Sequence, residues 1–204
     1  PWFYQKRKDN DLDAIKKYSG IYAFYMMIFS SAIIFMTPEI VKILANENYW
    51  DAIYSVIPIV AGGYFAFLYT IPSCVEYYHG KTQYIASGTM LAAVINIVLN
   101  YIFIKRYGYV AAAYTTLATY FLYFLFHYLI AMKIEKKSLF SNRIMMQCAV
   151  GMFVSVGLGN VLIDYIVVRI FVVAVLFLIG LIHEEKTFGF ISRFGGLKQW
   201  KKMH

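Results

Sequence analysis

Charged residues are scarce in this sequence. Asp, Glu, Lys and Arg together make up 15% of its 204 residues, whereas an ordinary soluble domain carries about a quarter. Hydrophobic residues make up 61%, and the mean hydropathy is +0.59. The few charges are clustered between long apolar runs. This composition excludes an ordinary soluble domain and indicates a protein whose solvent is lipid.

Cysteine and histidine are also rare. The two cysteines, Cys74 and Cys148, both fall in apolar runs, which excludes a disulfide framework or a cysteine-based metal site. The four histidines are scattered, without the paired spacing of metal ligands. His79 precedes Gly80-Lys81-Thr82, but the upstream glycine of a phosphate-binding loop is missing. We therefore expect no metal, no cofactor and no nucleotide site.

The short alternating segments of a transmembrane β-barrel are absent as well. The apolar runs are instead long enough to cross a bilayer core as helices, which takes about 20 residues each. Pro58 and Pro72 fall in the second run, where proline more often kinks a membrane helix than ends it. We predict an all-α polytopic membrane protein with six spans, near residues 18–36, 52–75, 83–104, 109–131, 145–163 and 166–182.

Around these spans the chain divides into five parts. Residues 1–17 are predicted to form a cytoplasmic linker, 18–131 four core spans, 132–144 a cytoplasmic loop, 145–182 two trailing spans, and 183–204 a basic aromatic tail. Within the outer loop Thr37–Asp51, Pro38 and Glu39 predict the start of a short helix. The tail mixes cations with Phe188, Phe190, Phe194 and Trp200. Such a tail lies along an anionic membrane surface or is disordered.

The net charge of +8 is explained by membrane orientation and needs no nucleic-acid partner. If the spans alternate in direction, one side carries 15 of the 19 basic residues, namely Lys6, Arg7, Lys8, Lys16, Lys17, Lys81, Lys133, Lys136, Lys137, Arg143, Lys186, Arg193, Lys198, Lys201 and Lys202. The other side carries Lys42, Lys105, Arg106 and Arg169. This bias predicts that both ends of the chain are cytoplasmic. We expect Arg169 to extend its side chain to the outer surface.

Two asparagines interrupt the third apolar run. Asn96 and Asn100 continue a four-residue spacing from Tyr84 through Gly88 and Ala92, which places all five on one helix face. An amide facing hydrocarbon would lack hydrogen-bond partners, at a cost of a few kcal/mol. The amides are therefore expected to face protein or water. Two interpretations stay open: hydrogen bonds between helices, or the lining of a cavity.

A second stripe of small residues predicts close helix packing. Gly151, Ser155 and Gly159 recur at every fourth position in the fifth apolar run. Helices in lipid associate through such small residues, because lipid tails are as apolar as leucine.

Several short motifs between about Thr37 and Tyr128 occur in a recognisable order. They resemble the C-terminal half of polysaccharide flippases in the multidrug/oligosaccharidyl-lipid/polysaccharide exporter superfamily. Ala111 is a departure, since many members carry glycine there. The matching motifs are Pro38-Glu39-Ile40-Val41-Lys42-Ile43-Leu44, Tyr49, Ala52, Gly80-Lys81-Thr82, Asn96, Asn100, Tyr107-Gly108 and Ala111-Ala112-Ala113.

This resemblance implies a fold of two six-helix lobes around a central cavity. The first four spans would belong to the C-terminal lobe of this MATE-like fold, and the last two would be trailing helices. We expect the chain to be a fragment that lacks an N-terminal lobe. The implied activity is to move an undecaprenyl-diphosphate-linked oligosaccharide across the bacterial inner membrane, for O-antigen of lipopolysaccharide, capsule or exopolysaccharide. Its partners would be that lipid-linked sugar, membrane lipids and the missing lobe.

The candidate site residues are polar or aromatic groups near the predicted spans. Glu76, His79 and Lys81 are predicted to cluster at the cytoplasmic mouth, where Lys81 meets a diphosphate or simply follows the positive-inside rule. Asn96 and Asn100 are candidates for a cavity wall. Five tyrosines are expected either to bind sugar or to pack between helices, namely Tyr64, Tyr69, Tyr114, Tyr120 and Tyr123.

An enzyme is not expected, because no nucleophile with a base, no metal set and no acidic pair occurs in the apolar runs. One alternative is a multidrug–cation antiporter of the same superfamily. That function requires an acidic or cation-binding residue deep in a lobe, and Glu76, predicted at a helix end, comes nearest. A membrane glycosyltransferase or polymerase is the enzyme alternative, and it predicts an outer loop larger than Thr37–Asp51.

Overall fold

The computed structural model describes residues 2–136 and 139–188. These residues form helices and no strand. In chain order the elements are α1 Trp2–Lys8, α2 Leu12–Leu44, a 3-10 helix Glu47–Ala52, α3 Ile53–Leu68, α4 Thr70–Tyr78, α5 Thr82–Tyr107, α6 Val110–Glu135, α7 Asn142–Val161 and α8 Ile166–Phe188. The part of the predicted tail that contains Phe190, Phe194 and Trp200 lies outside the described residues.

Six stretches are long and apolar enough to cross a bilayer, which confirms the prediction of an all-α chain with six spans. They are Leu12–Leu44, Glu47–Tyr78, Thr82–Tyr107, Val110–Glu135, Asn142–Val161 and Ile166–Thr187. We call the side where α2 begins and α6 ends the basic side, because Lys16, Lys17 and Lys133 lie there. The side where α2 ends and α6 begins is the opposite side.

The sequence predicted that the first span ends before Pro38, but the helix continues past this residue. Helix α2 continues through this proline to Leu44, so the predicted helix start at Pro38 is wrong. Proline has no N–H and removes one hydrogen bond of the helix. The carbonyl that loses its helical donor is that of Ile34. Hydrogen bonds from side chains reach the carbonyls on either side of it: the Thr37 hydroxyl donates to the Ile33 carbonyl at 2.9 Å, and Arg169 donates to the Phe35 carbonyl at 2.8 Å.

The α-helical part of the second span consists of α3 and α4, which meet at Tyr69. The interruption lies directly after Leu68, four residues before Pro72, because proline cannot donate to the carbonyl four positions back. The backbone at Tyr69 nevertheless stays in the right-handed helical region, with φ −63° and ψ −23°. Pro58, by contrast, lies inside α3 without ending it. Tyr69 is thus the joint of this span.

Helix α3 forms the centre of the bundle and packs against α2, α6 and α7. Its side chains Ile57, Tyr64, Phe65 and Leu68 are completely buried. Helix α5 is the opposite case, because it contacts only α6 and α4 closely and Gly88 is its one buried residue among those described. Its outer face, with Met90 72% and Ile97 68% exposed, is available to lipid or to another protein surface.

The small residues of α7 pack against α2, as their spacing predicted. A Cβ atom added at Gly159 would lie 2.6 Å from Cγ2 of Ile34, so only glycine fits there. One position in the same stripe is polar, and Ser155 hydrogen-bonds Ser31 of α2 at 2.9 Å. These contacts let the two helix backbones approach closely.

The last helix is fixed to the bundle by Arg169, a residue that is only 2% exposed. Its guanidinium binds both carboxylate oxygens of Glu39 on α2, at 2.5 and 2.6 Å. The expectation that Arg169 extends freely to the surface is therefore wrong. A charge this close to the apolar layer is stabilised by an opposite charge, and Glu39 supplies it from a position 130 residues away in the sequence.

Candidate functional site

Asn96 and Asn100 face α6 and form a chain of hydrogen bonds with it. The Asn100 amide donates to the Asn96 carbonyl oxygen at 2.9 Å. The Asn96 amide donates in turn to the Thr119 hydroxyl at 3.3 Å. The Thr115 hydroxyl donates to the side-chain oxygen of Asn100. These contacts support the interpretation that the two amides connect helices, and neither amide faces hydrocarbon alone.

A pair of hydroxyl groups extends this polar contact toward the basic side. The Thr89 hydroxyl donates to the Ile85 carbonyl at 2.9 Å. It also lies 2.9 Å from the hydroxyl of Tyr123 on α6, which therefore acts as the donor to Thr89. The ring of Tyr69 packs on Tyr123 with centroids 4.4 Å apart. The joint between α3 and α4 thus contacts the α5–α6 seam.

The next polar contact is a buried acid–imidazole pair. Oε1 of Glu76 on α4 lies 2.7 Å from Nδ1 of His127 on α6, and both side chains are completely buried. Among the described residues, neither Oε2 of Glu76 nor Nε2 of His127 has a hydrogen-bond partner. The expectation that Glu76 lies at the cytoplasmic mouth is therefore wrong, because its side chain lies inside the bundle.

His79 and Lys81, the two other residues of that predicted cluster, lie away from Glu76. His79 Nε2 contacts Oε1 of Glu135 at 2.9 Å. The same carboxylate binds Arg7 of α1 at 2.5 Å, so Glu135 joins α1, α4 and α6 on the basic side. Lys81 is exposed immediately before α5. The three residues form no common cluster, because the turn after α4 separates His79 and Lys81 from the buried Glu76.

A four-residue repeat on α6 accounts for these contacts and includes His127, which was not among the expected site residues. Thr115, Thr119, Tyr123, His127 and Glu135 are separated by multiples of four residues. Four residues exceed one turn of 3.6 by about 40°, so the row winds gradually around the helix. Its first members reach α5, and its last members reach α4. The polar residues of α5 and those of α6 recur at the same four-residue spacing, and this match could have identified His127 from the sequence.

We call this set of contacting side chains the polar column. It consists of Asn100, Thr115, Asn96, Thr119, Thr89, Tyr123, His127 and Glu76. It runs along α5 and α6, both of which are long and apolar enough to cross a bilayer, and it ends on α4. The column provides amide, hydroxyl, imidazole and carboxylate groups in one line.

The tyrosine candidates divide into buried and exposed residues. Tyr64 is fully buried and its hydroxyl lies 3.4 Å from the Ala23 carbonyl, so it belongs to the packing of α3 against α2. Tyr69 contacts the polar column through Tyr123. Tyr114 and Tyr120 are 40% and 37% exposed on α6. Only these last two rings are available to a large molecule.

Two hollows border the seam between α5 and α6. The larger, of about 490 Å³, lies near the opposite side and is lined by apolar and aromatic residues including Phe103, Tyr107 and Tyr114, with Thr115 of the polar column. The smaller, of about 230 Å³, is lined by Gly88 together with Thr119 and Tyr123 of the column. Each hollow therefore places apolar surface beside polar groups.

No protein-family model, curated protein or solved structure matches this chain. No group of three or more His, Cys, Asp or Glu side chains suited to a metal ion occurs within residues 2–136 and 139–188.

Proposed function

We propose that the protein is part of a flippase that moves a lipid-linked oligosaccharide, carried on undecaprenyl diphosphate, across the bacterial inner membrane for surface polysaccharide assembly. The basic side is then cytoplasmic, and the chain supplies most of a C-terminal lobe with two trailing helices. The observation that carries the proposal is the polar column along α5 and α6.

The physical task of such a protein is to carry hydrated sugar through hydrocarbon. Amides and hydroxyls can replace the water that a sugar loses, because they both donate and accept hydrogen bonds. A column of these groups beside an apolar cleft matches a cargo that has a polar head and an isoprenoid chain. Transporters place such groups near the bilayer midplane, between two lobes that rock against each other.

The packing of α5 supports the same proposal. This helix has only 6% of its most apolar stretch buried, while the corresponding value for α2 is 39%. A second lobe in contact with α5 would place the polar column close to the boundary between lobes. In contrast, α2 and α7 associate through small residues and the Ser31–Ser155 bond, so helix association in this protein does not require a polar column.

A multidrug–cation antiporter is the second candidate, and one observation favours it. That function requires an acidic residue deep in a lobe, and Glu76 is completely buried. The carboxylate is paired with His127, which leaves one of its oxygens available. A membrane enzyme of polysaccharide assembly has less support, because the 3-10 helix Glu47–Ala52 and its flanks form a short connection on the opposite side.

The test is complementation of a deletion strain with the full-length protein. We expect deletion to abolish surface polysaccharide and to accumulate lipid-linked repeat units. Asn96→Leu with Asn100→Leu should reduce surface polymer several-fold at equal membrane expression, because it removes the two amides of the column. Asn160→Leu is the matched control, since the Asn160 amide bonds to the Val156 carbonyl of its own helix.

Two outcomes would contradict the proposal. Unchanged polymer in the double variant would exclude a role of the amides in transport. Normal polysaccharide in the deletion strain, together with increased sensitivity to cationic drugs, would identify the antiporter instead.

A further inference from the structure

We infer that Glu76 and His127 form a proton-binding site inside the membrane, where one proton is taken up and released as the transporter changes state. The inference rests on the proposed transport function, because it assigns a coupling ion to that transporter. The reaction is a simple proton exchange between water and the pair, with no redox change and no covalent intermediate.

The charge of the pair decides which state suits a dry interior. With one proton, held between Nδ1 and Oε1, the pair has a net charge of −1. With a second proton it is neutral overall, either as carboxylic acid and imidazole or as carboxylate and imidazolium. Burying a net charge in hydrocarbon costs far more than burying a neutral hydrogen-bonded pair. The closed packing around Glu76 and His127 therefore favours the loaded state, and proton loss favours opening to water.

Comparison with two other carboxylates of the bundle separates this pair from a structural ion pair. Glu39 accepts hydrogen bonds from Arg169 on both of its carboxylate oxygens. Glu135 also uses both oxygens, bound by Arg7 and His79. Glu76 uses one oxygen and leaves Oε2 without a partner among the described residues, and His127 leaves Nε2 in the same condition. This pair therefore has an oxygen and a nitrogen at which a further proton can bind. Both oxygens of the other two carboxylates already accept hydrogen bonds.

The groups that face the pair make the site dry. Two titratable side chains face the pair. The ring centroid of Tyr123 on α6 lies 4.5 Å from the imidazole centroid, and that of Tyr69 lies 5.6 Å from it. The ring of Phe126 covers another edge at 5.2 Å. Helix α5 faces the pair with Gly88, which has no side chain to titrate.

Gly88 defines the route by which a proton reaches the pair. A Cβ atom at this position would lie 2.9 Å from Nε2 of His127 and 2.9 Å from the Phe126 ring. On the α5 side, therefore, Nε2 faces only the backbone of a glycine. The smaller hollow of about 230 Å³ is lined by Gly88, Tyr123 and Phe126. A small outward movement of α5 would connect this hollow, and water in it, with Nε2.

The experiment is an infrared pH titration of the full-length protein reconstituted in lipid bilayers. Spectra are compared for the wild type, Glu76→Gln and His127→Gln across a pH range that includes about pH 5 to 8, where an unperturbed imidazole changes its charge. We expect a carboxyl or imidazole change equivalent to one proton per chain, and we expect it to be absent from both variants alike. Glu135→Gln is the matched control and should retain this change.

A second pair of variants changes a glycine and retains both Glu76 and His127. Gly88→Ala should slow proton exchange after a pH jump several-fold, because the added methyl group obstructs Nε2. Gly63→Ala is its control, since a Cβ at Gly63 meets no atom within 4 Å. Identical titrations in the wild type and Glu76→Gln would overturn the inference, and so would loss of the signal in Glu135→Gln. If the pair titrates while deletion leaves polysaccharide intact, the proton site stands and the flippase proposal fails.

Discussion

The ion pair between Glu39 and Arg169 should dominate the attachment of α8 to the bundle. Three hydrogen bonds leave the Arg169 guanidinium: two to Glu39, at 2.5 and 2.6 Å, and one to the Phe35 carbonyl at 2.8 Å. Helix α8 packs mainly on α2 and is otherwise mostly exposed. The perturbation is a double-mutant cycle with Glu39→Gln, Arg169→Met and the two combined.

The expected magnitude follows from burial. Removing one member of a buried ion pair costs about 3–5 kcal/mol, because the other charge is left unpaired. The Arg169 side chain is 3% exposed but that of Glu39 is 24% exposed, so water partly stabilises the carboxylate. We expect about 3 kcal/mol for Glu39→Gln, in which the buried guanidinium keeps its bond to the Phe35 carbonyl, and somewhat less for Arg169→Met, in which water stabilises the remaining carboxylate. The double variant should recover about 1–2 kcal/mol relative to the sum of the single variants.

The measurement is reversible unfolding of the full-length protein in detergent micelles, followed by loss of helical circular dichroism. Glu47→Gln is the control, because Glu47 is exposed on the same side of the bundle and should change the free energy of unfolding by less than about 0.5 kcal/mol. Strictly additive single variants, with a coupling below about 0.5 kcal/mol, would refute the reasoning. Arg169 would then be held by the Phe35 carbonyl and packing alone.

Two further predictions concern the packing of α7 and the corner before α2. Gly159→Ala places a methyl group 2.6 Å from a buried isoleucine of α2 and should lower the free energy of unfolding by about 1–3 kcal/mol. Gly157→Ala, on the same helix with no atom within 4 Å, should not, and equal effects would contradict the packing. The hydrogen bond from Lys6 lowers the pKa of Asp11, whose carboxylate also accepts from the Ala14 amide. Because this pKa is lowered on folding, the contact is complete above the unfolded value of about 3.9 and is lost as pH falls through the lower folded value. Protection of the Ala14 amide from hydrogen exchange should fall in that acidic range, and constant protection there would contradict the contact.

Patterns local in sequence predicted the spans and one helix face well. The six apolar runs became six spans because hydrocarbon requires that each backbone hydrogen bond be made within its own segment. The spacing of Asn96 and Asn100 placed both amides on a single face of α5, and that face contacts α6. Gly159 and Ser155 likewise pack against α2 as their spacing predicted.

Prolines show where local patterns were insufficient. Pro38 lies inside α2, although its sequence context is typical of a helix start. Pro72 coincides with an interruption four residues earlier, at the joint between α3 and α4. The surroundings differ as well: next to Pro38, a guanidinium from α8, which is distant in the sequence, donates to the Phe35 carbonyl.

The sequence by itself determined that this chain is an all-helical bundle with six spans, because hydropathy and helical periodicity are properties of neighbouring residues. The tertiary structure decided which charges meet. Glu76 finds His127 across 51 positions, and Glu39 finds Arg169 across 130. A buried ionisable group is tolerated only where the folded structure places a partner residue in contact with it. The partners come from other helices, so their identity depends on how those helices pack, which spacing along one helix does not specify.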